Sequence, residues 1–207
     1  MNSAAGSGKM ARNIKTQAIY PLRGKILNIH DLHLNKILQN KELSDLISII
    51  GIGIGDNKDV ENLRYHKLII LTDSDVDGFH IASLLLTFFF KYFPDLISNG
   101  NIYIANPPLY LIKYSGARHF AKDDKEKDKI VKSLKGTPTI TRFKGLGEMN
   151  ADELKETAMY PKTRNLTLVN LDDFDVSTET FKDLMGKNAD PRKEFILKNA
   201  EMGIVDV

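Results

Sequence analysis

The sequence predicts an α/β fold built around a parallel sheet, because stretches typical of a strand, a helix and further strands follow one another. The run KLIIL, residues 67–71, is short and rich in isoleucine, which is typical of a buried strand. Residues 79–93 are apolar on nearly every side, which indicates a buried helix. Residues 101–114 indicate two strands separated by Pro107 and Pro108. A helix between two strands is typical of a βαβ unit and favours parallel pairing.

The part of the chain before this unit is expected to be less regular. Residues 4–15, AAGSGKMARNIK, are small and basic, and we interpret them as a loop that enters a helix. Residues 16–29, TQAIYPLRGKILNI, have strand-like composition at both ends, interrupted by Pro21 and Gly24. The apolar spacing of residues 31–51 predicts a helix.

The sequence changes character after residue 115. Residues 122–129, KDDKEKDK, contain four acidic and four basic residues, and we expect an exposed loop or mobile insert there. Residues 137–161 predict a strand, a glycine turn and a helix capped by Asn150. Residues 165–171 predict another strand, and two short helices are expected near residues 178–187 and 190–201.

Composition excludes several classes of protein. The chain has 207 residues and no cysteine, which excludes disulfide scaffolds and thiolate metal sites and suits a reducing compartment. The net charge is +2, but the segment from Met1 to Lys36 contains six basic residues and one acid. This excess indicates either an anionic partner or a solvated face. The sequence shows no signal peptide, and the most apolar segment, residues 81–90, is too short to span a bilayer, so we expect no membrane partner.

Three aspartates at alternate positions follow the predicted strand at residues 67–71. In an extended segment, Asp73, Asp75 and Asp77 would project to the same side and would repel one another unless a cation or water lies among them. In open α/β sheets, ligands bind outside the carboxyl ends of the strands. Carboxylate oxygens suit Mg²⁺ or Ca²⁺ rather than zinc.

Three interpretations of the aspartates compete. The pattern D-x-D-x-D-G matches the start of an EF-hand loop, but Leu84 stands where that loop needs a glutamate. A solvated acidic turn without a ligand is disfavoured by the apolar flanks on both sides. A Mg²⁺ site for phosphoryl transfer explains the aspartates and also the basic segment from Met1 to Lys36, which would hold a phosphate backbone.

Two glycine-rich motifs resemble nucleotide sites but lack required residues. The stretch SAAGSGKM has Ser3 where a Walker A loop has its first glycine, and Met10 where it has serine or threonine. The turn GIGIGD, residues 51–56, lacks the third glycine of a dinucleotide motif. We therefore expect no ATP site in these residues.

Four stretches together carry a resemblance to a known family: NSAAGSGKMARN, AIYPLRGKILN, TDSDVDGFHI and RFKGLGEM. In order and spacing they resemble the C-terminal part of the B subunits of bacterial DNA gyrases, which are type IIA topoisomerases. The resemblance covers essentially the whole chain. The ending PRKEFILKNAEMGIVDV favours gyrase over the related topoisomerase IV B subunit.

This resemblance implies a domain organisation. It implies a Toprim domain, with a Rossmann-like parallel sheet and flanking helices, over residues 1–115. A charged insert or loop would occupy residues 116–138, and a small α+β tail would occupy residues 139–207.

The resemblance also implies an activity. Enzymes of this family are ATP-dependent isomerases that cut both strands of double-stranded DNA, pass another duplex through and reseal the break, which changes supercoiling. The attacking tyrosine lies on the A subunit of an A₂B₂ complex. The cofactor would be Mg²⁺, with Mn²⁺ or Ca²⁺ as substitutes, and ATP would bind only to an N-terminal domain absent from this chain. The expected location is the bacterial cytoplasm at the nucleoid, or a plastid-type organelle.

Individual positions follow from the same motifs. The resemblance implies that Asp73 and Asp75 are catalytic metal ligands and that Asp77 is the third acidic position. The DNA-contacting positions would be Arg23, Lys25, Asn28 and Lys144, with His80 as a possible contact at the cleavage site. Arg23 replaces the usual lysine of its motif, and its planar guanidinium is not equivalent to a lysine ammonium.

One family motif is incomplete. The family has E-G-D-S-A, in which the glutamate is the general acid or base; here Ser3 matches the serine, Asn2 stands at the aspartate and Met1 at the glycine. We therefore expect the glutamate, the first Toprim strand and the ATPase domain to be missing, and this chain alone to be inactive. The alternatives are a non-catalytic DNA- and partner-binding module, a topoisomerase IV B subunit, and a more distant Toprim primase or nuclease.

Overall fold

The structure is a computed structural model that describes residues 2–202, with side chains from residue 4 to residue 201. Met1 and the last five residues of the PRKEFILKNAEMGIVDV ending lie outside the described residues. The α-helices are α1 (Asn2–Ala11), α2 (Leu34–Gln39), α3 (Lys41–Ile50), α4 (Val76–Tyr92), α5 (Pro94–Ser98), α6 (Asp124–Ser133), α7 (Ala151–Leu154), α8 (Phe174–Met185) and α9 (Asp190–Lys198). The strands are β1 (Leu68–Ile70), β2 (Ile102–Ala105), β3 (Tyr110–Tyr114), β4 (Ala117–Ala121), β5 (Thr139–Arg142) and β6 (Leu166–Leu168).

The chain forms two compact units, each built from three separate segments. The first unit comprises Met1–Lys25, Lys67–Ala82 and Ile102–Val169. The second unit comprises Ile26–His66, Ser83–Asn101 and Asn170–Val207. Helix α4 begins in a segment of the first unit and continues into a segment of the second.

The first unit contains two three-stranded sheets. In one sheet β1 pairs in parallel with β2, with Leu68 opposite Ile102, and β6 pairs antiparallel with β2. The predicted βαβ unit and its parallel pairing are therefore confirmed, although the sheet is mixed. The other sheet is antiparallel, in the order β4-β3-β5. The Pro107-Pro108 link thus connects a strand of one sheet to a strand of the other.

The core of the first unit anchors the glycine turn of the RFKGLGEM motif. Phe143, Leu146 and Met149 have relative exposures of only 6%, 7% and 2%. They pack in one cluster with Ala11, Leu111, Leu154 and Ala158. Burying a large apolar side chain stabilises a fold by about 1.5–3 kcal/mol, so three such side chains hold this turn firmly.

The start of the chain differs in part from the sequence prediction. A loop that enters a helix was expected over residues 4–15; the helix is present as α1, but the loop expected before it is part of that helix. Gly8 packs closely in α1, since a Cβ there would lie 3.0 Å from Ile19 Cδ1. The strand-like stretch TQAIYPLRGKILNI forms no strand. Pro21 has no N–H to donate to a sheet, and Gly24 has φ +133, a conformation that interrupts an extended run.

The charged run KDDKEKDK is helical rather than a loop. The Asp123 side chain caps α6 by accepting a hydrogen bond from the Glu126 N–H at 2.8 Å. The far end of the segment supplies the apolar residues Ile130, Val131 and Leu134, which pack against the β-sheet cluster of Tyr110, Ile112 and Ala121. A capped start and an apolar face are sufficient to fold a segment whose first turns are charged.

The remaining predicted elements are confirmed. The helix predicted over residues 31–51 is present as α2 and α3, divided at Asn40, whose side chain caps α3. Asn150 caps α7 in a capping box with Glu153, and one π-helical turn, Lys155–Met159, follows. Strand β6 and helices α8 and α9 occur near their expected positions.

The second unit is held together by aromatic and polar contacts. The Phe90 ring stacks on those of Phe174 and Phe181, with centroid distances of 5.2 Å and 4.6 Å. The Lys91 ammonium donates hydrogen bonds to three backbone carbonyls in the segment 29–32.

No helix among the described residues has the length and hydrophobicity needed to cross a membrane.

Candidate functional site

The three aspartates lie where β1 gives way to α4. Strand β1 ends at Ile70, Asp73 and Asp75 lie in the connecting bend, and Asp77 lies in the first turn of α4. Asp75 starts the helix, because its Oδ1 accepts the Gly78 N–H at 2.6 Å. The expectation that all three aspartates project from one extended segment was therefore wrong, because the helix begins at Val76.

The carboxylate of Asp73 is held by the RFKGLGEM motif. The backbone N–H of Leu146 donates a hydrogen bond to Asp73 Oδ1 at 2.7 Å, across 73 positions of sequence. A Cβ built at Gly145 would lie 2.9 Å from the same oxygen and 3.0 Å from Asp73 Cγ. Two of the four recognised motifs thus meet at a single side chain.

A second glycine fits against the backbone of Asp73. A Cβ built at Gly78 would lie only 2.0 Å from the Asp73 carbonyl oxygen. Real Cβ atoms do not approach a carbonyl oxygen so closely, so the bend and the first turn of α4 can pack together only with glycine at this position. The glycine that follows the third aspartate in the sequence is explained by this contact.

Asp77 pairs with a lysine of the PLRGKILN motif. Lys25 Nζ lies 2.7 Å from Asp77 Oδ1, and the two side chains are 46% and 69% exposed. The hydrogen bond from Lys25 and the attraction of its positive charge hold the pKa of the Asp77 carboxyl below its ordinary value, with a smaller contribution from His80. One oxygen of Asp77 is therefore engaged by a cation that the protein itself supplies.

The arrangement leaves two carboxylates available for a metal ion. Among residues 4–201, no group of three or more acidic, histidine or cysteine side chains is close enough to hold a metal. Within that range the Oδ2 atoms of Asp73 and Asp75 accept no hydrogen bond, since their described bonds use Oδ1. Mg²⁺ is commonly bound through one or two carboxylates, with phosphate oxygens and water as its other ligands. The donor chemistry of Asp73 and Asp75 fits that pattern.

The residues expected to contact DNA differ in their surroundings. Lys144 is exposed and belongs to the turn that holds Asp73, while its backbone N–H donates to Glu148 Oε2 at 2.8 Å. Arg23 and His80 are also exposed, and Lys25 is paired with Asp77. These four residues all belong to segments of the first unit.

Asn28 belongs to the second unit, where both ends of its side-chain amide make hydrogen bonds. Its Nδ2 donates to the carbonyl of Met185, the last residue of α8, at 2.8 Å, and its Oδ1 accepts the His30 N–H at 3.1 Å. The next residues of the same segment are held by Lys91. These bonds give Asn28 a structural part within its unit.

Sequence reasoning missed three residues that shape the site: Gly78, Gly145 and Leu146. The signal for the glycines was present, because both lie in the recognised motifs, but a glycine pattern does not say which side chain it accommodates. The part played by Leu146 had no signal in the sequence, since its backbone N–H, not its side chain, contacts Asp73.

Comparison with known proteins identifies the family of this chain. The Toprim domain family model matches residues 1–107, slightly more than half of the chain. The chain belongs to the Toprim family. The family model for the carboxyl terminus of the DNA gyrase B subunit matches residues 135–197 of the same chain. The resemblance inferred from the four motifs is thereby confirmed, as is the mixed α/β fold class.

Curated relatives extend the similarity over nearly the whole Toprim chain. It is 46% identical over 202 residues to the DNA gyrase B subunit of Clostridium acetobutylicum, with 96% of the chain covered. It is 48% identical over 203 residues to the corresponding protein of Borreliella burgdorferi and 47% identical over 207 residues to that of Staphylococcus aureus, with 96% and 99% covered. The chain spans about a third, 32%, of the length of these relatives.

Proposed function

We propose that this chain is the Mg²⁺-binding and DNA-binding part of an ATP-dependent type II DNA topoisomerase, a gyrase. The observation that carries the proposal is the presence of both family matches in one chain, together with 46–48% identity to three proteins named as the B subunit of DNA gyrase. In this function the chain assists cleavage and religation of both DNA strands by a tyrosine on a partner A subunit.

Asp73 and Asp75 would hold the metal ion at the carboxyl end of β1. When bound there, Mg²⁺ supplies positive charge for the scissile phosphate and the departing sugar oxygen. The protein fixes the geometry in advance, because Leu146 orients the Asp73 carboxylate and Asp75 is held by the first turn of α4. Asp77 would contribute as a third ligand only after its bond to Lys25 is exchanged.

Basic residues of the first unit would hold the DNA backbone. Arg23, Lys25 and Lys144 are exposed, and Lys144 lies two residues from the N–H that contacts Asp73. Phosphate contacts of this kind position the duplex without reading its sequence. His80 is exposed in the second turn of α4 and would lie near the cleavage site.

The remaining parts of the proposal concern partners and location. The A subunit would join in an A₂B₂ complex, Mn²⁺ or Ca²⁺ would substitute for Mg²⁺, and ATP would bind outside this chain. The full enzyme would act in the cytoplasm, on nucleoid DNA. The family model for the gyrase B carboxyl terminus supports gyrase in preference to a Toprim primase or nuclease.

The proposal can be tested with a chimeric enzyme. The chain would replace the matching third of the Staphylococcus aureus DNA gyrase B subunit, to which it is 47% identical. The chimera, combined with the A subunit of that species, ATP and Mg²⁺, is expected to supercoil relaxed plasmid. Asp73→Ala is expected to abolish plasmid cleavage, trapped as covalent complexes with detergent, while the far-ultraviolet circular dichroism spectrum is kept.

A matched control makes this result specific. Asp172 is an exposed aspartate in a bend of the second unit, so Asp172→Ala removes the same charge from a residue outside the aspartate motif and is expected to cleave at the wild-type rate. Supercoiling that survives in the Asp73→Ala chimera would refute the assigned role of Asp73. A chimera that assembles and binds DNA but never cleaves would instead favour a non-catalytic binding module.

A further inference from the structure

We infer that the turn at Gly145 and Leu146 is a positioning element that presents Asp73 as a cation ligand. This inference rests on the proposed function, because it assigns Asp73 a partner that orients it for that role. It adds two residues that would act through their contacts with the Asp73 carboxylate.

The contact itself is short and directional. The Leu146 N–H to Asp73 Oδ1 distance is 2.7 Å, at the short end of the range for a backbone donor and a carboxylate. A carboxylate with one oxygen fixed by a backbone donor cannot rotate freely about its side-chain bonds. Its second oxygen, Oδ2, is then presented in one direction, which is what a metal ligand requires.

Gly145 is required for space and not for backbone conformation. Its φ is 178 and its ψ is 172, an extended conformation that any residue adopts. A Cβ at this position would nevertheless lie 2.9 Å, 3.0 Å and 3.3 Å from Oδ1, Cγ and Oδ2 of Asp73. The three atoms nearest to such a Cβ thus all belong to the Asp73 carboxylate.

The turn is rigid enough to act as a fixed donor. The Glu148 N–H donates to the Gly145 carbonyl at 3.1 Å, and the Glu148 side chain accepts the Lys144 N–H at 2.8 Å. On either side of Gly145, Phe143 and Leu146 are buried. Because the turn is anchored in the core, moving its N–H would require repacking, so Asp73 adapts to the turn and not the reverse.

The coupling can be measured without any metal, by a thermal double-mutant cycle on the full 207-residue chain in EDTA. Gly145→Ala is expected to lower the melting temperature by about 2–8 °C, because the new methyl group displaces the carboxylate. In an Asp73→Ala background the carboxylate is absent, so Gly145→Ala is expected to change the melting temperature little. Gly6→Ala is the matched control, since a Cβ there meets nothing within 4 Å. An equal loss of melting temperature in both backgrounds would overturn the inferred coupling.

The role in cation binding needs a second measurement. Substoichiometric Mn²⁺ is expected to broaden the amide resonances of Leu146 and Gly78 in a two-dimensional NMR spectrum of the chain, even if binding is weak. Gly145→Ala is expected to raise the Mn²⁺ concentration needed for the same broadening by about tenfold, the usual range for partners of metal ligands being about 10–100-fold. Asp73→Asn retains an acceptor for Leu146 and is expected to lose the broadening while keeping the melting temperature.

The outcomes separate the inference from the function it rests on. If Asp73→Asn leaves the broadening unchanged, or the wild-type chain shows none, the proposed metal site at Asp73 fails. If Asp73→Asn removes the broadening but Gly145→Ala does not weaken it, the metal site stands and the positioning role of the turn is refuted.

Discussion

The ammonium nitrogen of Lys25 lies 2.7 Å from a carboxylate oxygen of Asp77. A residue expected to bind phosphate is thus paired with one expected to bind a cation. Exposed ion pairs contribute little to folding stability, so this pair can exchange its partners readily. A DNA phosphate would take over Lys25, and a divalent cation would take over Asp77.

Lys25→Ala should weaken the binding of DNA duplexes of every base sequence equally, because a phosphate contact carries no sequence information. The slope of log affinity against log salt should fall by about one unit. The measurement is fluorescence anisotropy of labelled duplexes at several KCl concentrations. Lys41→Ala is a matched control, since Lys41 is an exposed lysine paired with Asp45. A loss confined to one duplex sequence, with the slope unchanged, would contradict a phosphate contact.

Asp77→Asn should strengthen DNA binding when EDTA removes divalent ions. The substitution frees the Lys25 ammonium and removes a negative charge beside it, so the affinity and the salt slope should both rise. The same anisotropy titration measures the change. If Asp77→Asn binds DNA no more tightly than the wild-type chain in EDTA, then the pair does not restrain Lys25.

Asn28→Ala should destabilise the chain more than it affects DNA binding. The substitution removes the donor to the Met185 carbonyl and the acceptor for the His30 N–H. The free energy of unfolding should fall by about 1–2 kcal/mol, measured by urea denaturation, while the affinity for duplex DNA should stay the same. A loss of DNA affinity with unchanged stability would assign Asn28 to the DNA instead.

Asp124 should make folding stability depend on pH. Hydrogen bonds from Lys127 and Tyr110 hold the pKa of its carboxyl below the ordinary value of 3.8. The folded state therefore favours the ionised form, and the resulting stability is present above about pH 3.8 and lost as the pH falls through the lower folded value. Asp124→Asn should therefore destabilise the chain at pH 6 more than at pH 3 in urea titrations. Equal destabilisation by Asp124→Asn at the two pH values would contradict this stabilising role of the ionised Asp124.

Asn150→Ala should cost about 1 kcal/mol of stability, because it removes a cap from the start of α7. The Asn150 side chain accepts the Glu153 N–H at 2.9 Å, and the Glu153 side chain accepts the Asn150 N–H at 3.1 Å. Asn150→Ser should keep most of the stability, since serine caps helices well. Equal urea midpoints for the alanine and serine variants would show that the side-chain cap at position 150 does not contribute to folding stability.

The sequence predicted the elements whose signal is local. The apolar run before the aspartates, the long apolar helix and the Asn150 cap were all found near their expected positions. The helical charged segment was missed because its cap at Asp123 and its apolar residues after position 129 stand at opposite ends of a run dominated by charge. The stretch TQAIYPLRGKILNI has strand-like composition at both ends, but no strand in the described part of the chain pairs with it, and it forms no strand.

The candidate site was predictable only in part. The three aspartates stand out in the sequence, but their arrangement depends on where α4 begins, and the Asp75 cap shortens the extended segment. The bond between Asp73 and Leu146 joins positions 73 residues apart through a backbone N–H. No periodicity or residue type reports such a contact, because every residue except proline carries the same donor.

The interleaving of the two units limits how this stretch of chain can be exchanged during evolution. Each unit draws on three separate segments, so a recombination crossover at any single internal position divides at least one unit between two parental sequences. Side chains that pack together would then come from different parents and would fit poorly. Relatives that are 46–48% identical should therefore exchange this region successfully only as one uninterrupted block.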